Sequence, residues 1–237
     1  MKAMILAAGL GTRFKPWTDQ HPKALALINR KSLLERNVHY LQQAGITDLL
    51  VNVHHFADQI IDAIETNDGW GSRITISDES DEVLETGGGL KKAAWFFTEA
   101  PFVMMNADML TDLDLKSMIS FHQQHAPLAT LAITDRASSR YFLFNEKDRL
   151  CGWRNVKTGA ARISFSAPVM QEKAFSGIHI LSPEIFPLMQ RQGKFSIVDV
   201  YLELAASYVI KGFDHSGSKL VDVGKPEAVA MAEALFE

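Results

Sequence analysis

The strongest constraint on how this chain folds lies at its start, where the apolar run Met4-Ile5-Leu6-Ala7-Ala8 ends abruptly in Gly9-Leu10-Gly11-Thr12-Arg13. An uninterrupted apolar run suits a strand buried on both faces, as in parallel sheets covered by helices. A loop of small residues leaving that strand, with Arg13 and Lys23 just beyond it, brings backbone N–H groups and cations against a polyphosphate. Two common phosphate loops do not fit. A dinucleotide fingerprint needs a third glycine so that a helix can pack closely on the strand, and Phe14 stands in its place. A Walker loop needs Gly-Lys-Ser/Thr, whereas the Gly-Lys pairs here run into Phe195 and Pro226.

The first half of the chain alternates strand-length apolar runs with amphipathic stretches, which predicts an α/β fold with a Rossmann-like, mostly parallel sheet flanked by helices. Strands are expected over 2–7, Asp48 to Val53, Arg73 to Ser77 and Phe102 to Met105, the last near the sheet centre. Helices are expected over 32–44, opened by the capping pair Ser32 and Glu35 and stopped by Gly45, then over Ala57 to Thr66, 90–97 and 114–125. Gly87-Gly88-Gly89 reads as a turn before the third of these helices. From Leu128 the pattern changes to closely spaced strands, Leu128 to Thr134, Tyr141 to Asn145, Arg149 to Trp153 and Phe175 to Leu181, consistent with a small antiparallel excursion. The stretch from Lys157 to Lys173 carries no clear pattern and reads as a mobile loop. Helices over 183–190 and 198–207, a strand from Lys219 to Val221 and a closing helix over 226–236 complete a chain expected to form a single domain over 1–237.

The 24 basic and 28 acidic residues give a net charge of −4 with no like-charged block, which favours neither nucleic acid nor an anionic membrane as partner. The partner is expected to be a small anion met by a few cations. Cys151 is the only cysteine, so neither an internal disulfide nor a thiolate metal cluster is available. The first residues contain too short an apolar run for a signal peptide, and no stretch approaches a membrane span, so a cytoplasmic protein is expected. Oligomeric state is left open.

The opening segment resembles the sugar-1-phosphate nucleotidyltransferases, whose motif L-A-A-G-x-G-T-R-x-x-P-x-T-x-x-x-P-K is matched at Leu6, Ala7, Ala8, Gly9, Gly11, Thr12, Arg13, Pro16, Thr18, Pro22 and Lys23. The resemblance extends to the closing helix and implies the nucleotide-diphospho-sugar transferase fold. It also implies an Mg²⁺-dependent reaction in which a sugar 1-phosphate oxygen attacks the α-phosphate of an NTP, giving NDP-sugar and pyrophosphate. Such a transfer asks little covalent chemistry of the protein, so positioned cations and a divalent metal carry most of it. Arg13 is then expected on the outer phosphates and Lys23 on the α-phosphate and the acceptor phosphate, with the backbone from Leu6 to Thr12 around the nucleotide.

Other segments fit the same pattern. Asn106-Ala107-Asp108, at the exit of the buried strand, resembles the family's N-x-D metal motif, and Val221-Asp222-Val223-Gly224 its closing D-V-G, which makes Asp108 and Asp222 the expected magnesium ligands. Asp112 and Asp114 are better suited to capping. Glu85-Thr86-Gly87-Gly88-Gly89 resembles the E-T-G-G-G base platform of N-acetylmuramic acid 1-phosphate uridylyltransferases and their near relatives, which favours a pyrimidine nucleotide. Phe175-Ser176-Gly177-Ile178 resembles the acceptor segment, placing Ser176, Gly177 and Asn106 near the sugar. The family's E-K-P lysine has no counterpart in Gly152-Trp153-Arg154-Asn155, where Arg154 offers a fork rather than a point charge, so the acceptor sugar is left open. His54 and His55 are adjacent on an extended segment, point to opposite faces and have no evident third ligand, so they are read as loop residues rather than a metal pair. The competing readings are a guanylyltransferase acting on mannose or heptose 1-phosphate, and a non-catalytic sensor of nucleotide or sugar phosphate.

Overall fold

A computed structural model describes residues 1–236. The strands in chain order are β1 (Lys2–Leu6), β2 (Leu27–Ile28), β3 (Lys31–Ser32), β4 (Asp48–Val53), β5 (Arg73–Asp78), β6 (Phe102–Asn106), β7 (Met109–Thr111), β8 (Ala129–Thr134), β9 (Arg140–Phe144), β10 (Leu150–Asn155), β11 (Ala161–Ile163), β12 (Gln171–Leu181), β13 (Ile210–Asp214) and β14 (Leu220–Asp222). The α-helices are α1 (Leu33–Gln43), α2 (Ala57–Thr66), α3 (Glu85–Lys92), α4 (Leu115–His125), α5 (Ile197–Leu204) and α6 (Ala228–Leu235). No helix among the described residues is long and apolar enough to cross a membrane.

The main sheet runs β11-β10-β9-β12-β6-β1-β4-β5, with β8 against β12 and β13 against β8. Strands β6, β1, β4 and β5 are mutually parallel, and β6 lies inside the sheet as its sequence predicts. β12 runs antiparallel to β6, β8 and β9 and so turns the sheet into its antiparallel half. Alternate residues of the parallel strands feed two cores. Met4, Leu50 and Met104 pack with Leu90 of α3 and Val200 and Tyr201 of α5 on one face. Ala3, Ile5, Val51 and Val103 pack with Val38 of α1, Ile60 of α2 and Met118 of α4 on the other. A third, smaller core joins Phe14, Ile28, Leu33, Leu110, Val221, Val223 and Ala232, and ties the start of the chain to its end.

Local signals fixed several boundaries. Ser32 accepts a hydrogen bond from Glu35 N and opens α1; β4 and α2 begin and end where the pattern places them. Asp114 caps α4 by accepting from Ser117 N, while Asp112 accepts from Lys219 N and pins β14 beside β7. Other expectations are corrected. The three glycines are not a turn before a helix: they lie within α3 and are buried. A Cβ at Gly87 would sit 2.5 Å from the Phe195 ring, and one at Gly88 would sit 2.3 Å from the Gly193 carbonyl oxygen. Close packing therefore overrides the poor helix propensity of glycine. The patternless stretch 157–173 contains the short edge strand β11, and β12 starts at Gln171 rather than Phe175. The 183–190 helix is a 3₁₀ segment, Pro183–Leu188, with Pro187 inside it. β13, β7 and the β2–β3 hairpin carry no periodic signal and were not expected, whereas β14 lies one residue beyond the strand expected over Lys219 to Val221.

Two histidines are buried without charge partners in direct contact. His179 Nδ1 lies 2.6 Å from the Tyr201 hydroxyl, and His122 Nδ1 lies 2.8 Å from Thr130 Oγ1. Burial pushes the His179 pKa down to about 3 and that of His122 to about 4. Both lie below the unfolded value of about 6.5, so the unfolded chain binds these protons first and stability falls as pH drops below 6.5. Each ring is expected to cost about 2 kcal/mol between pH 7 and pH 5. Urea unfolding at the two pH values measures this, and equal unfolding free energies would contradict it.

Candidate active site

The carboxyl ends of β1, β4, β5 and β6 open into a cleft of about 530 Å³, where open α/β sheets bind ligands. Leu6 to Arg13 line one wall in an unbroken run. Gly11 has φ +59° there, and a Cβ on it would meet Thr18 Cγ2 at 2.8 Å, so only glycine fits. The Thr18 hydroxyl donates to the Gly11 carbonyl, and Phe14 N closes a 3₁₀ turn back onto the same oxygen. Phe14, which breaks the dinucleotide pattern, is the anchor of this turn in the third core and leaves Arg13 at the cleft surface.

Lys23 follows Pro22, whose extended backbone aims the lysine across the cleft, where it pairs with Asp108. The Lys23 side chain is largely buried and that of Asp108 partly exposed. Asp108 is held from three sides. Ala107 N donates to the Leu6 carbonyl, the buried Asn37 donates to the Ala107 carbonyl, and Val223 N donates to the Asp108 carbonyl at 2.9 Å. The β7–β14 ladder pairs Met109 with Asp222, so the two expected metal carboxylates come from neighbouring positions although they lie 114 positions apart in sequence. A Cβ on Gly224 would lie 2.7 Å from Asp222 Oδ1 and 3.1 Å from Arg13 Nη2, so this glycine admits both side chains. No cluster of three or more His, Cys, Asp or Glu suited to a metal is found among the described residues. Two carboxylates without a third ligand suit magnesium, which completes its shell with phosphate oxygens and water.

The base side differs from the sequence reading. Glu85 and Thr86 line the cleft, whereas Gly87 and Gly88 do not. Both glycine amides donate to the Phe195 carbonyl, and Thr86 Oγ1 accepts from Ile197 N, so this segment clamps α3 to the start of α5. Lys194 lies 3.9 Å from Glu85 on the cleft rim. Beneath them is a buried chain that no motif announced: Ala7 N donates to Asn52 Oδ1 at 2.8 Å, and Asn52 Nδ2 donates to Glu79 Oε1 at 2.8 Å. Burial raises the Glu79 pKa, an effect opposed by its hydrogen bonds from Asn52 and Leu84 N.

On the acceptor side, Asn106 lines the cleft beside Gly177, whose φ of +73° lies in a bulge of β12. A Cβ on Gly177 would strike Asn106 Nδ2 at 2.8 Å. Ser176 is corrected: it is buried and hydrogen-bonds His215 Nε2 at 2.8 Å, because strand alternation turns it away from the cleft. Arg154 pairs with Glu172 at 3.0 Å and does not line the cleft. His54 bonds the Glu79 carbonyl and His55 packs on Phe56, as expected of loop residues.

The family model for nucleotidyl transferases matches residues 2–235. The N-acetylmuramate alpha-1-phosphate uridylyltransferase of Caulobacter vibrioides is 33% identical over 98% of this chain and 95% of its own length. The mannose-1-phosphate guanyltransferase of Aspergillus fumigatus is 27% identical over the whole of this chain and 64% of its own. The crystal structure of HddC from Yersinia pseudotuberculosis complexed with GMP-PN superposes with a TM-score of 0.80 at 25% identity, covering 100% of this chain and 99% of that one.

The Ala7–Asn52–Glu79 chain makes a structural prediction. Asn52→Leu leaves a buried N–H and a buried carboxyl without their shared partner and is expected to lower stability by about 1–3 kcal/mol. Denaturant unfolding reads the loss, and an unchanged midpoint would show that the chain contributes nothing net.

Proposed function

Since the chain belongs to the nucleotidyl transferase family and is a sugar-1-phosphate nucleotidyltransferase, we propose that it is an Mg²⁺-dependent uridylyltransferase acting on an N-acetylated amino-sugar or hexose 1-phosphate. The observation that carries the site assignment is the Lys23–Asp108 pair, set at the open end of a cleft walled by the Leu6–Arg13 loop. Each partner is the other's counterion until substrate arrives. An incoming α-phosphate attracts Lys23 and leaves the Asp108 carboxylate free. Asp108 and Asp222 are the residues that would hold magnesium, and the ion would supply charge neutralisation at the α-phosphate and the departing pyrophosphate.

The residues of the chain then divide the work. Arg13 grips the outer phosphates of the triphosphate with its guanidinium fork. Lys23 holds the α-phosphate in line with the acceptor, and the backbone from Ala8 to Thr12 follows the phosphates. Asn106 and Gly177 border the sugar. A phosphate oxygen of the sugar 1-phosphate attacks the α-phosphorus, and the bond to the bridging oxygen breaks as pyrophosphate leaves. Both anions are already deprotonated at neutral pH, so positioned charge rather than a general base is what the site has to supply. Intact cations and carboxylates argue against a pure sensor, which has no need of both Asp108 and Asp222.

The uridylyl reading rests on the 33% identical relative, which matches this chain nearly end to end. The guanylyl reading, with mannose or heptose 1-phosphate as acceptor, is supported by the relatives that act on mannose 1-phosphate and by the GMP-PN complex. A pyrophosphate-release screen of four NTPs against N-acetylmuramate, N-acetylglucosamine, glucose, mannose and heptose 1-phosphates separates them. Release is expected with UTP and Mg²⁺, and Asp108→Asn or Lys23→Ala is expected to lower kcat/KM by at least about 10²-fold. Release with GTP alone would replace the uridylyl reading, and release with no pair would overturn the catalytic one.

A further inference from the structure

β12 breaks its pairing on the acceptor side of the cleft. Its ladder with β8 skips from Phe175 to His179, and its ladder with β6 begins only at Ile178, so Ser176 and Gly177 fall outside both registers. The hydrogen bonds that fix the rest of the strand pass these two residues by, and other restraints must hold the bulge. Arg136 supplies one by donating to the Phe175 carbonyl at 2.9 Å. His215 supplies another, with Nε2 at 2.8 Å from Ser176 Oγ.

His215 is itself held from several directions. It directly follows β13, its N–H donates to the Ile133 carbonyl, and its own carbonyl accepts from Ser218 N. Beside it, Lys173 bridges Asp135 and Asp214, and the Ser216 hydroxyl accepts from Asp135 N. The residue is only 6% exposed, yet Nδ1 has no hydrogen-bond partner among the described residues. Burying an imidazole with half of its hydrogen-bonding capacity unused is costly, so packing alone does not account for a histidine here. Burial lowers the pKa of the ring, against Asp214 and Asp112, which favour the charged form, and with Arg136, which opposes it. The ring is then neutral at pH 7. The tautomer that leaves a lone pair rather than an N–H unpaired puts the proton on Nε2, which donates to Ser176.

Accepting that Asn106 and Gly177 border the sugar, as proposed above, we infer that His215 is a positioning residue for the acceptor. Without touching substrate, it sets through Ser176 the place of the Gly177 bulge against Asn106, and so the fit of the sugar 1-phosphate. Room there is tight, since a Cβ on Gly177 would lie 2.8 Å from Asn106 Nδ2, and a small displacement of the bulge moves the acceptor wall. The wall assigned to the nucleotide, from Leu6 to Arg13 with Glu85 and Thr86, comes from the loop after β1 and from α3. It does not share the Ser176–His215 hydrogen bond, so losing that bond is expected to disturb one substrate and spare the other.

The test is steady-state pyrophosphate release with the NTP and sugar 1-phosphate pair that wild type turns over, varying each substrate and Mg²⁺ in turn. His215→Leu removes the donor, Ser176→Ala removes its partner, and His215→Gln returns an N–H near the place of Nε2. His215→Leu and Ser176→Ala are each expected to raise the KM of the sugar 1-phosphate by at least about tenfold, with the KM of the NTP and the Mg²⁺ requirement unchanged. The double variant is expected to show no further increase, and His215→Gln to recover most of the wild-type KM. Ser176→Ala, which deletes a single hydroxyl, decides the matter if His215→Leu does not fold. Equal changes in both KM values, or an unchanged acceptor KM in Ser176→Ala, would reduce His215 to a structural group. Either result overturns the inference and leaves the nucleotidyltransferase reading intact. Turnover of no substrate pair by wild type would overturn both.

Discussion

The structure depends on the parallel register at the sheet centre, where Leu6 of β1 lies between Asn52 of β4 and Asn106 of β6. This one row holds the start of the glycine loop, the amide that accepts from Ala7 N, and the residue from which the Asp108 segment departs. A slip of one residue would reverse every side chain of β1. It would carry Ile5 and Ala3 away from Val51 and Val103, so burial of two cores enforces the geometry of the cleft. Precision at the site is thus a by-product of hydrophobic matching several residues below it.

Charge is distributed differently across the two halves of the cleft. The half read as phosphate-binding carries Arg13, Lys23 and Asp108, with Asp222 against Gly224 at its edge, and holds the ion pair whose partners substrate is proposed to exchange. The half read as base-binding has Lys194 on its rim and is built on amide and backbone hydrogen bonds whose directions are fixed. Lys23 and Asp108 compensate each other in the absence of substrate; removing either leaves a charge in a partly buried setting, which is why single substitutions there disturb more than one contact. The third core, with Phe14, Leu110 and Val221, holds these charged segments together from below.

Much of this was legible in the sequence because it is written locally. The strand β1, its glycine loop, the Ser32 cap and the boundaries of β4 and α2 each follow from a few adjacent residues. The misreadings share a different cause. Gly87, Gly88 and Gly89 look like a turn because glycine weakens helices, but Phe195 and Gly193, more than a hundred residues away, leave no room for a Cβ. Ser176 looks like a sugar ligand until His215 claims its hydroxyl from inside the sheet. Asn52 and Glu79 are single polar residues at the ends of strands, with no spacing that marks them. Only the parallel pairing of β1, β4 and β5 brings them under Ala7. The β7–β14 ladder, which brings Asp222 beside the Asp108 segment, is likewise a long-range pairing: β14 was expected as a strand, but nothing local marks β7 or its pairing with β14.

The central claim is that one cleft carries nucleotide, metal and acceptor, with Lys23 passing from Asp108 to phosphate as substrate enters. A crystal structure with Mg²⁺ and a non-hydrolysable UTP analogue tests it most directly. The account predicts the triphosphate along Leu6–Arg13, Lys23 Nζ within hydrogen-bond reach of the α-phosphate, and the metal between Asp108 and Asp222. A nucleotide bound in that cleft with Lys23 still on Asp108 and the metal held elsewhere would contradict it.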